Sequence, residues 1–198
     1  MTWPNQLHAK VKRAEVAHAR IKSIDVSEAM KMPGVKATLV GSEIPVNSFG
    51  PSLQDQPMLC ADKVHHVGDP VAAVAAETEQ QCIEALKKIK VEYELLKPIF
   101  DPIAAMEEGA VQVHDGKSNI YASKKIKKGD VEKAFVDADH IFEDNFRTQM
   151  IEHIPMEPHA SAATWDVNGR LLVWCSESKR YRCFNDAFIP GKRTQCND

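Results

Sequence analysis

The 198 residues are 43% hydrophobic and 27% charged, proportions that exclude a disordered, collagen-like or low-complexity chain and allow one large domain or two small ones. Twenty-five Lys and Arg against 28 Asp and Glu leave a formal charge of −3, so no basic field exists to draw in nucleic acid, and the short stretch Lys124 to Lys128 reads as a solvated loop. The longest apolar run, Pro70 to Ala76, is far shorter than the roughly 20 residues that cross a bilayer.

Taken in chain order, Leu7, Ala9 and Val11 alternate with His8, Lys10 and Lys12, the period-two pattern of a strand with one wet face. Ile21 to Val26 predicts a second strand, and Ser27 is placed to cap a short helix that runs to Met32 and stops at Pro33-Gly34. Val35 to Val40 alternates again. Gly41 to Pro57, with its glycines and prolines, reads as a long loop. Asp62 to Pro70 predicts a strand and turn leading into Val71 to Ala76, apolar on both faces and therefore expected to be covered on both. Thr78-Glu79-Gln80-Gln81 matches a capping box for a helix to about Lys90, with Cys82, Ile83, Leu86 and Ile89 on one face. Val91, Tyr93 and Leu95 then alternate with Glu92 and Glu94 as a strand.

Beyond this block, Asp101-Pro102 offers a helix start and Gly109 a stop. Residues 111–128 lose periodicity and read as a boundary. Gly129-Asp130 opens a helix through Ala138, and His140 to Thr148 alternates as a strand that brings Phe142 and Phe146 to one face. Ala160 to Trp165 and Leu171 to Cys175 flank Val167-Asn168-Gly169-Arg170, and Asn-Gly between apolar strands predicts a hairpin with a type I′ turn. The N-terminus lacks the basic flank and apolar stretch of a secretory signal, so a cytoplasmic location is expected.

The chain has no Gly-rich phosphate loop, dinucleotide fingerprint, nucleophile elbow or His-Glu-x-x-His sequence. Its five cysteines (Cys60, Cys82, Cys175, Cys183, Cys196) are odd in number and lack a Cys-x-x-Cys pair, so free thiols are expected rather than disulfides, zinc or an iron–sulfur cluster. Glu152, His153, Glu157 and His159 have metal-ligand identities within eight residues. Pro155 and Pro158 prevent a regular helix there, and structural hydrogen bonding is the plainer reading. The adjacent His65 and His66 point to opposite faces of a strand, and no partner carboxylate for either is identifiable.

Several stretches together resemble the molybdenum-containing subunit of the xanthine dehydrogenase and aldehyde oxidase family and its carbon monoxide dehydrogenase-like relatives. They are His18-Ala19-Arg20-Ile21, Met32-Pro33-Gly34-Val35, Asp62 to Ala72, Val91-Glu92-Tyr93-Glu94, Gly129 to Phe135, His153 with Met156-Glu157-Pro158, and Gly169 to Trp174, seven segments in one order over residues 1 to about 176. The resemblance implies an α+β fold: an α/β hammerhead domain (residues 1–110), a linker (111–128), a truncated and mainly β start of the molybdenum-binding domain (129–176), and an unmatched tail (177–198). It also implies a parent enzyme that hydroxylates an electron-poor carbon of an N-heterocycle or aldehyde. That enzyme's molybdenum-pterin would pass electrons to iron–sulfur clusters and FAD on other domains or subunits.

The chain departs from the family's pattern after Val173-Trp174. Cys175-Ser176-Glu177-Ser178 stands where the family has Ser-Thr-Gln, and the glycine-rich loop and the later glutamate base have no counterpart. The resemblance therefore implies a fragment of a molybdenum hydroxylase large subunit that packs on the molybdenum domain and walls the substrate channel. It is expected to be inactive alone, with no catalytic, cofactor or metal residues of its own. Its implied partners are the remaining molybdenum-binding domain and the iron–sulfur and flavin subunits, and a homo-oligomer is compatible with them. A free-standing binding or assembly module that docks through the Gly41 to Pro57 loop stays open as an alternative. So does a small metal-dependent hydrolase built on His153, Glu157 and His159.

Overall fold

The computed structural model describes residues 3–50, 53–152, 154, 156 and 158–176, together with the backbone of 194–197. The chain divides into two compact units, Met1–Ala122 and Ser123–Asp198.

In the first unit β1 (His8–Arg13) and β3 (Val35–Val40) flank β5 (Pro70–Ala76) in an antiparallel sheet. A second sheet places β2 (Ala19–Asp25) between β4 (Lys63–Val64) and β6 (Lys90–Leu95). Helices α1 (Ser27–Met30) and α2 (Glu79–Lys88) pack on one face of the first sheet, where Ala29, Ala72, Val74, Ala85 and Ile89 form a buried cluster. A second cluster joins Ala14, Cys60, Val64 and Val71, and Ile24 and Val91 touch both.

Local chemistry explains where α2 begins. The Thr78 hydroxyl accepts from the Gln81 N–H at 3.2 Å, and the Gln81 carboxamide accepts from the Thr78 N–H at 3.0 Å. Two of the four unpaired N–H groups at the helix start are thereby satisfied. The buried stripe differs from the predicted one in one position: Ala85 is buried and Ile83 is exposed. Ser27 does not cap α1; it is the first helical residue, Val26 precedes it, and Asp25 accepts the Ser27 N–H at 2.9 Å.

Two further expectations change. Residues 101–109 form only a short turn, Ala104–Met106, although the Asp101 carboxylate accepts from the N–H groups of Ile103 and Ala104 as a cap would. The predicted cover on both faces of residues 71–76 is incomplete. Val71, Ala72, Val74 and Ala76 are buried, while Ala73 and Ala75 remain partly open.

In the second unit, α3 (Val131–Val136) starts at Asp130, whose carboxylate accepts the Lys133 N–H. Strand β7 (Ser161–Trp165) pairs antiparallel with β8 (Leu171–Cys175), as the Asn-Gly signal predicts. The turn is not type I′, because only Gly169 has positive φ, at 74°. Gly169 N–H donates to the Asp166 carbonyl and Asp166 N–H to the Arg170 carbonyl, a three-residue loop with glycine in the left-handed position. The Asp166 carboxylate accepts from the Asn168 and Arg170 N–H groups at 2.8 Å each, which favours this loop over the two-residue one.

Strand β9 (Thr194–Asn197) adds in parallel to β8 and has no forerunner in the sequence pattern. The strand predicted for 140–148 does not form; Phe142 and Phe146 are 93% and 91% exposed. Alternation alone supplies no neighbouring ladder, and an unpaired strand has no hydrogen-bond advantage over solvent. Among the described residues no helix is long and apolar enough to cross a membrane.

Candidate functional site around His18

The polar groups of the first unit converge where β2 begins. His18 is 7% exposed. Its carbonyl accepts the Leu96 N–H, and its Nδ1 lies 2.8 Å from the Lys97 carbonyl. A carbonyl can only accept, so Nδ1 carries the proton and a neutral ring leaves Nε2 as an acceptor. Nε2 is buried with no partner among the described residues.

His18 lines two clefts. One of about 730 Å³ includes Arg20, Lys63, Lys97, Asp115 and Asn119. The other, about 310 Å³, includes His65, His66, Pro98, Phe100 and Val113.

A strap of residues 105–119 is tied down beside the larger cleft. Lys63, whose side chain is 10% exposed, donates to the Val113 carbonyl at 3.0 Å and to Asp115 at 2.7 Å, and Arg20 reaches the other Asp115 oxygen at 3.1 Å. The Lys63 bond and charge, aided by Arg20, hold the Asp115 carboxyl below its ordinary range. Asn119 donates to the carbonyls of Ala105 and Val111 and accepts the Val113 N–H, so its amide closes the strap on itself. His114 stacks on His65 with ring centres 4.7 Å apart.

On the other side of His65 lies Asp69, the carboxylate that sequence reasoning did not find. One of its oxygens accepts from the N–H groups of His65 and His66 at 2.7 and 3.1 Å, and the other lies 3.0 Å from His66 Nε2. Burial, with the neighbouring His114, lowers the proton affinity of His65 against the pull of Asp69. Burial and the Asp69 carboxylate push the Cys60 thiol up to about 12. Such a thiol stays protonated at neutral pH and is a poor nucleophile.

These groups therefore bind one another. Lys63, Arg20, Asp69, Asp115 and Asn119 each have structural partners, and no activated nucleophile stands beside a base. Among the described residues no three His, Cys, Asp or Glu side chains converge as metal ligands. Of the cluster at 152–159, His153 and Glu157 lie outside the described residues. Cys60 and Cys82 are buried free thiols and Cys175 is half-buried on β8, while Cys183, Glu177 and Ser178 lie outside. Sequence reasoning included Lys63 and Asp69 in matched stretches but missed the cluster, because Asp115 and Asn119 sit in a segment without periodicity.

Two family models match the chain in succession. Residues 1–97 match the aldehyde oxidase and xanthine dehydrogenase a/b hammerhead domain, and residues 113–183 match the molybdopterin cofactor-binding domain. The chain belongs to the xanthine dehydrogenase and aldehyde oxidase family. It carries the hammerhead domain and the start of the molybdenum-binding domain.

Among its relatives, the nicotinate dehydrogenase large molybdopterin subunit of Eubacterium barkeri is 41% identical over 173 residues, 87% of this chain and 40% of that protein. The xanthine dehydrogenase of Calliphora vicina is 34% identical over 87% of this chain and 12% of that protein. The aldehyde oxidoreductase structure from Desulfovibrio gigas superposes with a TM-score of 0.84 at 29% identity, over 98% of this chain and 24% of that one. The chain thus spans less than half the length of each.

The family implies a molybdenum-pterin group. The described part of the second unit does not form a seat for it: none of its side chains from Ser123 to Ser176 is buried, and no ligand set converges. A preorganised site needs donors held in an enclosed, water-poor setting.

Proposed function

We propose that this chain is a structural part of a molybdenum hydroxylase large subunit, packing on the molybdenum domain, walling the substrate channel and lacking catalysis when isolated. The observation that supports this reading best is the internal use of its buried polar groups, with Lys63, Asp69 and Asn119 each spent on holding backbone rather than facing a reactive centre. The molybdenum-pterin and the base that activates oxygen would come from polypeptide beyond the matched stretch, and the iron–sulfur and flavin groups from other domains or subunits. Within this reading, residues 1–110 are the hammerhead domain, 111–128 the linker, 129–176 the start of the molybdenum-binding domain and 177–198 a tail, and the chain is cytoplasmic. The test is metal analysis of the purified chain, with turnover of purine and aldehyde substrates measured with an artificial electron acceptor. No bound molybdenum and no turnover is the expected result; stoichiometric molybdenum or turnover above a Glu157→Gln control would overturn the proposal.

A further inference from the structure

The first sheet exposes its apolar side. Strand pairing aligns Ala9, Ala75 and Ala37 in one row and Val11, Ala73 and Leu39 in the next. These six side chains share the face opposite Ala72 and Val74, the face on which α1 and α2 pack. Val11 and Leu39 are 39% and 41% exposed. At the end of this face only Val71 is covered, by Ala14, Cys60 and Val64.

On β1 the usual arrangement is inverted. Lys10 and Lys12 are half-buried on the helix side, where Lys10 meets Glu79 at 2.6 Å, and Ala9 and Val11 face outward. An antiparallel sheet with one solvated face ordinarily carries polar residues there, and a contiguous apolar patch on a folded surface marks an interaction site.

We propose that this open face, centred on Val11, Ala73 and Leu39, is the docking surface for the remainder of a molybdenum hydroxylase large subunit. The inference rests on the function proposed above and adds to it the surface that makes the contact. The occupant follows from length: this chain overlays the D. gigas aldehyde oxidoreductase over 98% of itself but covers only 24% of that protein, so most of the relative's polypeptide lies outside the matched part. The chemistry follows from the residues. Four alanines keep the surface flat, so a partner backbone can approach closely, and the absence of charge in both rows calls for a helix or sheet face of Leu, Ile or Val.

The test uses the full chain, tagged and purified from the cells that make it. Covalent surface footprinting would compare residues 7–13, 35–40 and 71–76 in the isolated chain and in the assembly. The expected result is co-purification with a molybdenum-containing polypeptide and protection of Val11 and Leu39 in that assembly. A double variant, Val11→Lys with Leu39→Lys, should keep the melting temperature of the isolated chain yet bind roughly a hundredfold more weakly, because an unpaired ammonium is strongly disfavoured in an apolar interface. Assembly with this face still labelled would overturn the docking surface and leave the function standing. Failure of the wild-type chain to recover any molybdenum-containing polypeptide would overturn both. Protection already present in the isolated chain, lost with dissociation of a dimer in the lysine variant, would assign the face to a second copy and overturn the inference.

Discussion

Lys63 and Asp115 meet at 2.7 Å across 52 positions of sequence, with the lysine side chain almost enclosed and the aspartate side chain 60% exposed. This pair, rather than any element of secondary structure, holds residues 111–119 to the second sheet. Asp115→Ala should leave the ammonium without its carboxylate and speed proteolytic cutting between 110 and 122. Lys63→Met in the same background should add little, since both changes break one contact. The sign of the pH dependence follows from the lowered Asp115 pKa: the pair's contribution is fully present above the ordinary value of 3.8 and is lost as pH falls through the lower folded value. Limited proteolysis between pH 3 and 7 checks it.

His65 titrates in the opposite sense to a histidine that gains a partner. Burial lowers its pKa in the folded chain from the ordinary 6.5, so below that pH the unfolded chain takes up a proton that the folded chain resists. Stability should therefore fall as pH drops through 6.5 and level off below the folded pKa. His65→Gln should flatten that slope in melting curves recorded from pH 5 to 8.

Thr78→Ala removes one half of a reciprocal cap. It should cost about 1 kcal/mol and lower the melting temperature by roughly 4 °C. Thr78→Ser should recover most of the loss, because the hydroxyl that accepts the Gln81 N–H is restored.

The two faces of the first sheet should respond differently to truncation. Val74 is 1% exposed against α2, and Val74→Ala should cost about 2 kcal/mol through lost burial and the cavity left behind. Val11→Ala, on the open face, should change the isolated chain by about 0.5 kcal/mol or less. Urea titrations of the two variants separate these outcomes.

At the β7–β8 turn, Gly169→Ala should cost about 1 kcal/mol, because a Cβ is disfavoured at positive φ even though nothing lies within 4 Å of it. Asn168→Ala should cost much less, since Asn168 does not have positive φ. Amide exchange across residues 161–175 measures both, and equal effects would restore the type I′ turn.

What could be determined from sequence alone was local. The Thr78 to Gln81 cap, the Asp130 cap and the period-two runs of β1, β3, β6 and β7 depend on residues a few positions apart, so their chemistry is written in spacing. The family match was legible for the same reason: short motifs kept in order need no three-dimensional contact to be seen.

Tertiary structure decided the contacts made across long separations and the faces that are covered. His140 to Thr148 carried a strand pattern but found no ladder, and Thr194–Asn197 carried none yet joined β8. Alternation predicted a dry face for Ala9 and Val11, but only the fold revealed that the helices pack on the other side. Asp69, Asp115 and Asn119 became structural ties once folding brought them to His65, Lys63 and Ala105. Hydrophobic pattern sets which side chains avoid water, while closure of the chain sets what they meet, and that second choice has no local signature.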